Sequence, residues 1–439
     1  MMPHDRDALI RAALTPRDDL QLPVDLAGEI HRAISATAQR RPLLRGFGGV
    51  LSLPRIPAAV AWLVLLAALL GAIAVGIASR PDPLPSAVLN YHGNQGLTGE
   101  MPGPGPQGPV AIGWESSLDG PVTNLLMPLV KETRIHMALG NGRVATLDTA
   151  TGALVRSTED LGEIRGTPVI AADRLVVAAV DGTVIAFDES SGAERWRHMI
   201  GSPTQASLAT IGSFVLVGDD AGSVHVLDLE SGAEVHEVDA GGPVERSPAS
   251  ADGVVYVGAS GGRITAFEAA TGSIRWTAAL GDGEVLTPAV RDGVVYIARG
   301  PLDLSEPHEV VALDAAGGHV LWRSAGPSFD RLFVAAVSNV AVFVVSEDHN
   351  VYRLDARTGE FERHFETQGS IGSLATLADD TLYVTSSDQH VYAIDPDTGS
   401  ERWRLEVEGS PSMPVVVDGR VIIGTSLGKV YSIEGTDTR

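Results

Sequence analysis

Short segments of alternating apolar and polar residues recur along the chain at a nearly constant interval. Each segment ends at an acidic residue, as in VIAFD, and successive acidic positions lie 40, 40, 40, 46, 41, 40 and 39 residues apart. Alternation predicts half-buried β-strands, and a period of about 40 residues is typical of propeller blades. The acidic residues are Asp148, Asp188, Asp228, Glu268, Asp314, Asp355, Asp395 and Glu434.

A tight turn is expected after each acidic residue. The acidic side chain can accept hydrogen bonds from backbone N–H groups of the turn, and a glycine four residues later permits the left-handed conformation that closes it. A further strand leaves the turn, and two more strands joined by DG turns follow, so each unit predicts four strands. The turn glycines are Gly152, Gly192, Gly232, Gly272, Gly318, Gly359 and Gly399.

Tryptophan occupies one position of this pattern, four residues after the turn glycine, and we interpret it as packing between blades. Arg156, His236 and Arg363 take that position in three other units. Because the last unit stops after its third strand, Trp114 is expected to supply the missing fourth. The pattern therefore predicts an all-β, eight-bladed propeller that closes by pairing its two ends. The tryptophans in this register are Trp114, Trp196, Trp276, Trp322 and Trp403.

A second kind of segment precedes the repeats. Residues 56–79 carry no charged side chain, and as a helix they would span roughly 36 Å, enough to cross the ~30 Å apolar layer of a bilayer. A cleaved signal peptide has a shorter apolar core near the chain start, so we favour a retained anchor. The preceding arginines (Arg40, Arg41, Arg45 and Arg55) predict that the N-terminus lies inside and the propeller outside the cell membrane.

We therefore predict four regions. They are a weakly helical cytoplasmic tail at 1–55, a single transmembrane helix at 56–79, a Pro/Gly-rich extracytoplasmic linker at 80–110 and the propeller at 111–437. Residues 1–55 have a net charge of +2 and the remaining residues a net charge of −25, which gives the total of −23. An acidic domain of this size repels nucleic acid. The absence of cysteine excludes disulfides and thiolate metal sites.

The segments AFDESSGAERW and AIDPDTGSERW resemble the pyrroloquinoline-quinone-like repeat. The resemblance covers about residues 90–435, and the lead-in YHGNQGLTGEMPGPGPQGPVAIGW is similar to segments that precede such propellers in bacterial proteins. One branch of the family contains quinoprotein dehydrogenases, which hold the quinone with calcium at the propeller axis beside a vicinal cysteine pair. The other branch resembles the BamB-type lipoprotein, a scaffold without catalysis. The lack of cysteine and of long insertions favours the second branch, although a membrane helix here replaces the lipidated cysteine.

Two groups of residues are candidate sites. The 46-residue spacing places an enlarged loop between two strands, and its acids and histidine would suit a divalent cation or a basic partner, unless the loop is only a solvated insertion. The links into the innermost strands would rim the central channel, where propellers bind ligands or simply solvate the opening. The loop residues are Asp303, Glu306, His308 and Glu309, and the channel-mouth residues are Arg165, Glu245, Arg246, Glu284, Asp330 and Arg331.

These observations lead to one main hypothesis and two alternatives. The main hypothesis is a membrane-anchored extracytoplasmic scaffold that binds a protein of the cell envelope, without catalysis and without a cofactor. One alternative is a transmembrane sensor that couples the propeller to a cytoplasmic regulator such as a sigma factor. The other is a quinone-dependent dehydrogenase.

Overall fold

The structure is a computed structural model that describes residues 87–123, 126–301, 306–327 and 330–436, without the side chains of residues 363 and 364. These residues form eight antiparallel sheets arranged as the blades of a propeller. The all-β, eight-bladed fold predicted from the period is therefore confirmed. No helix within the described ranges is long and apolar enough to cross a membrane. The predicted tail and membrane span lie outside those ranges.

The strands follow the chain from the axis outward in each blade, except that β1 (Val110–Ser117) belongs to the last blade. Blade one contains β2 (Leu129–Lys131), β3 (Arg134–Ala138), β4 (Val144–Asp148) and β5 (Leu154–Ser157). Blade two contains β6 (Val169–Ala171), β7 (Arg174–Ala178), β8 (Thr183–Asp188) and β9 (Glu194–Met199). Blade three contains β10 (Ala209–Ile211), β11 (Phe214–Gly218), β12 (Ser223–Asp228) and β13 (Glu234–Asp239). Blade four contains β14 (Ala249–Ala251), β15 (Val254–Ala259), β16 (Arg263–Glu268) and β17 (Ile274–Ala279).

Blade five has one strand more than the others. It contains β18 (Glu284–Val285), β19 (Ala289–Arg291), β20 (Val294–Gly300), β21 (Glu309–Asp314) and β22 (Val320–Ala325). The enlarged loop follows β20, whose extended end pairs with the additional strand β18. Blade six contains β23 (Leu332–Val337), β24 (Ala341–Ser346), β25 (Asn350–Asp355) and β26 (Phe361–Glu366), and blade seven contains β27 (Thr376–Ala378), β28 (Thr381–Ser386), β29 (His390–Ile394) and β30 (Glu401–Glu406).

Blade eight closes the ring. It consists of β31 (Val415–Val417), β32 (Arg420–Gly424), β33 (Lys429–Gly435) and β1. Strand β1 pairs antiparallel with β33, which places Trp114 opposite Ser432. The expected pairing of the two ends is thus present, and it protects the strand edges that an open ring would expose.

The outermost strands contact the next blade through a repeated interaction. The indole of Trp196 donates a hydrogen bond to the carbonyl of Leu229 at 2.9 Å, and its ring packs over the turn of that neighbouring blade at Gly232. Where tryptophan is replaced, the next blade is still contacted. Arg156 donates to the carbonyls of Glu189 and Ser190, and His236 bonds to the carbonyl of Ala270. The seven turn glycines have φ between +67° and +76°, the left-handed region in which glycine is not strained.

The alternation of strand directions defines two faces of the propeller. The links into the innermost strands lie on one face, here called the mouth face, together with the loops between second and third strands. The turns between innermost and second strands lie on the opposite face, here called the turn face, together with the aspartate–glycine turns. This arrangement places the channel-mouth candidates and the enlarged loop on the same face.

Candidate functional site

The propeller axis is occupied by the chain itself. Residues 88–104, here called the axial segment, run past the innermost strands on the side of the turn face. They form backbone or side-chain hydrogen bonds or β-bridges with one innermost strand of each blade. The partners, in blade order, are Val130, Ile170, Thr210, Ser250, Val290, Val337, Leu377 and Val417.

Several side chains of the axial segment are fully inside the ring. Val88, Leu97 and Met101 are buried apolar residues. His92 is 1% exposed, and its Nε2 hydrogen-bonds to the carbonyl of Ala335 in blade six. Burial lowers the pKa of His92 to about 4, because an imidazolium would lose its hydration inside the ring. The segment, which the sequence assigns to the linker, therefore fills the core of the channel.

A cavity remains at the mouth face, above Tyr91 of the axial segment. It has two lobes of about 240 Å³ and about 260 Å³. Tyr91, Arg246 and Thr287 line both lobes. The apolar lobe is further lined by Leu286, Phe333, Val334, Leu374 and Met413, with Arg331 and Glu347 among its polar residues. The polar lobe is further lined by Arg165, Gln205, Ser207, Glu245 and Ser247.

Four of the six charged residues predicted for the channel mouth line this cavity, namely Arg165, Glu245, Arg246 and Arg331. Arg246 donates from Nε and Nη2 to Oε1 of Glu284 at 3.2 and 2.6 Å. The carboxylate of Glu284 is 5% exposed, and its Oε2 lies 3.9 Å from Nη2 of Arg331. Glu284 thus holds two arginines at the inner part of the mouth. Arg165 bonds to Glu163 and to Gln205, each at 2.7 Å.

The last two channel-mouth candidates are Glu245 and Asp330. Glu245 is exposed on the polar lobe. Asp330 precedes Arg331 in the chain but does not line either lobe. Whether any of these residues binds a ligand stays a prediction.

The described candidates of the enlarged loop have different surroundings. Glu306 is exposed, whereas His308 is 1% exposed and its Nε2 lies 3.3 Å from the carbonyl of Pro301. Glu309 pairs instead with Arg299 and Arg323. Asp303 lies outside the described residues. No group of three or more potential metal ligands occurs in the described part of the chain.

Sequence reasoning missed several residues of the mouth cavity, among them Tyr91 and Ser247. Tyr91 belongs to the lead-in, which has no periodic pattern. Ser247 is one of four hydroxyl residues that precede an innermost strand by two positions and recur every 40 residues. That regular spacing is a signal from which the hydroxyl ring could have been found. Its members are Thr167, Ser207, Ser247 and Thr287.

Known proteins with the same architecture match this chain. The family model described as outer membrane protein assembly factor BamB matches residues 111–221, 181–325 and 306–439. No curated protein sequence matches the chain.

Several solved structures share the fold. BamB from Moraxella catarrhalis has 22% identity and a TM-score of 0.61, over 74% of this chain and 100% of that one. The computationally designed protein Ika8 has 18% identity and a TM-score of 0.63, over 73% and 98%. The quinohemoprotein alcohol dehydrogenase from Comamonas testosteroni has 12% identity and a TM-score of 0.67, over 79% and 80%. Identities this low show the fold alone.

Proposed function

Because the chain belongs to the family described as outer membrane protein assembly factor BamB, we propose that it is a non-catalytic protein-binding scaffold. The observation that carries the proposal is the axial segment, which fills the channel core with residues such as His92 and Leu97. The remaining opening is a rim of mixed charge on the mouth face. A rigid propeller with one such face is suited to bind an envelope protein without performing chemistry on it.

The proposal includes the membrane anchor. The 24 uncharged residues at 56–79 and the arginines before them support a single span with the N-terminus inside. The propeller would then lie on the extracytoplasmic side. Its net acidic charge favours partners with a basic face over nucleic acid.

The quinone alternative has little support from the donor set. The resemblance to dehydrogenases implies a quinone with calcium at the axis and a vicinal cysteine pair beside it, but the chain has no cysteine. No cluster of three candidate metal ligands exists among the described residues. Tyr91 of the axial segment also lines both lobes of the mouth cavity. We therefore derive no step through a quinone.

Photo-crosslinking in intact cells tests the scaffold proposal. The full-length protein would carry a photoreactive amino acid either at Glu245, which is exposed on the mouth face, or at Asp397, which is 85% exposed in a turn on the opposite face. We expect one defined envelope protein to be captured through position 245 and not through 397.

Three other results would count against the proposal. Equal capture at both positions would remove the role of the mouth face. A cytoplasmic regulator captured by a third photoreactive position within residues 1–50, with no capture at position 245, would support the sensor instead. Dye-linked dehydrogenase activity that requires added quinone and calcium would show that the protein is an enzyme.

A further inference from the structure

The inner part of the mouth cavity has an unmatched positive charge. Arg246 and Arg331 both face the buried carboxylate of Glu284, so two guanidinium groups share one acid. The lining acids Glu245 and Glu347 are exposed at the rim, where water screens their charge. A single negative charge placed between the arginines would balance the interior of the site.

The same place offers a buried hydroxyl that has no hydrogen-bond partner among the described residues. Ser247 is 2% exposed, and its hydroxyl forms no hydrogen bond with another described residue. A buried hydroxyl without a partner costs free energy, which a ligand oxygen would recover. Tyr91 lines both lobes, and burial raises its pKa to about 12. Its phenol is therefore a proton donor and not an anion at neutral pH.

The apolar lobe begins directly beside these donors. Leu286, Phe333, Leu374 and Met413 form its wall. A volume of about 240 Å³ is small for the pockets that hold drug-sized ligands. The lobe is therefore suited to one short aliphatic chain or one aromatic ring.

We propose that the mouth cavity binds a small amphipathic monocarboxylate. Its apolar body would occupy the apolar lobe. Its carboxylate would lie at the junction of the lobes, where Arg246 and Tyr91 meet, with Arg331 on one side and Ser247 on the other. This site goes beyond the scaffold role and does not depend on it, because a small acid and a protein partner are separate ligands.

Calorimetric titration with 3-phenylpropionate tests the site. The full-length protein is placed in lipid nanodiscs, and empty nanodiscs provide the background. We expect saturable binding of one acid per chain. The uncharged 3-phenylpropanol and the cationic 3-phenylpropylamine should bind at least tenfold more weakly, because neither places a negative charge between the arginines.

Three variants locate the site. Arg331→Gln removes one guanidinium without breaking the bonds between Arg246 and Glu284, and it should weaken binding roughly tenfold or more. Ser247→Ala should weaken it about two- to tenfold. Arg357→Gln is the matched control. Arg357 is exposed in a turn on the opposite face, and its replacement makes the same change in net charge.

The outcomes separate clearly. Loss of affinity in the two cavity variants with an unchanged control, at unchanged melting temperatures, supports the proposal. Absence of saturable binding would overturn it. Equal affinity for the alcohol and the acid would also overturn it, as would equal weakening by Arg331→Gln and Arg357→Gln.

Discussion

Replacing Gly99 by alanine tests whether the axial segment is an integral part of the folded propeller. Gly99 has φ +67°, and an added Cβ would lie 2.3 Å from the carbonyl oxygen of Ala335 and 2.7 Å from Nε2 of His92. The first of these contacts is with backbone, so no side-chain rotation can relieve it. The segment would have to move away from blade six.

The expected loss of stability has two parts. A left-handed conformation costs an alanine about 1–2 kcal/mol. Displacement of the segment would weaken the hydrogen bonds from the Leu377 N–H to the Gly99 carbonyl and from the Gly99 N–H to the His92 carbonyl, at 2.8 and 3.1 Å. Each such bond contributes about 1 kcal/mol. We therefore expect Gly99→Ala to lower the free energy of unfolding by about 3–4 kcal/mol.

Gly108→Ala is the matched control. Gly108 has a similar φ of +70°, but an added Cβ there meets nothing within 4 Å. It should cost only the conformational part, about 1–2 kcal/mol. The assay is denaturant unfolding of the full-length protein in detergent, followed by tryptophan fluorescence. Equal destabilisation by the two substitutions would refute the view that the segment is packed into the axis.

Three further predictions concern the axis, a contact between blades and the mouth cavity. The unfolded chain binds a proton on His92 below pH ~6.5, whereas the folded chain binds it only near its pKa of about 4. The free energy of unfolding should therefore be lower at pH 5 than at pH 7. A His92→Asn variant should show a smaller decrease, and a decrease as large as in the wild type would contradict the assignment. Trp196→Ala should cost about 3–5 kcal/mol, because it removes a buried ring and its 2.9 Å hydrogen bond to the next blade. The melting temperature should fall, and a loss under about 1 kcal/mol would show that this contact does not hold the blades together. Arg246→Gln should cost about 3–5 kcal/mol, because the buried Glu284 loses its hydrogen-bonded partner and keeps only the more distant Arg331. Adding Glu284→Gln should restore much of the loss in the same unfolding assay, and no recovery would mean that Arg246 and Glu284 are not coupled.

The sequence alone determined the architecture of the propeller. Each blade is formed by neighbouring strands, so its pattern is local, and the acid, glycine and tryptophan positions recur once per blade. The last repeat lacks its fourth strand, and Trp114 has the register of such a strand. The sequence therefore indicated that Trp114 belongs to the last blade, where β1 pairs with β33. Short-range patterns of this kind can be read because the same physical requirement is repeated eight times.

The tertiary structure alone decided what occupies the axis and which candidate residues meet. His92 and Ala335 are 243 positions apart in the sequence. The axial segment contacts one blade after another and forms no long strand or helix, so its sequence shows no period. The same holds for the enlarged loop, where three candidates close in sequence differ: Glu306 is exposed, His308 is buried and Glu309 is ion-paired. Distances across a closed ring depend on how all its blades pack together, and no local pattern of residues encodes them.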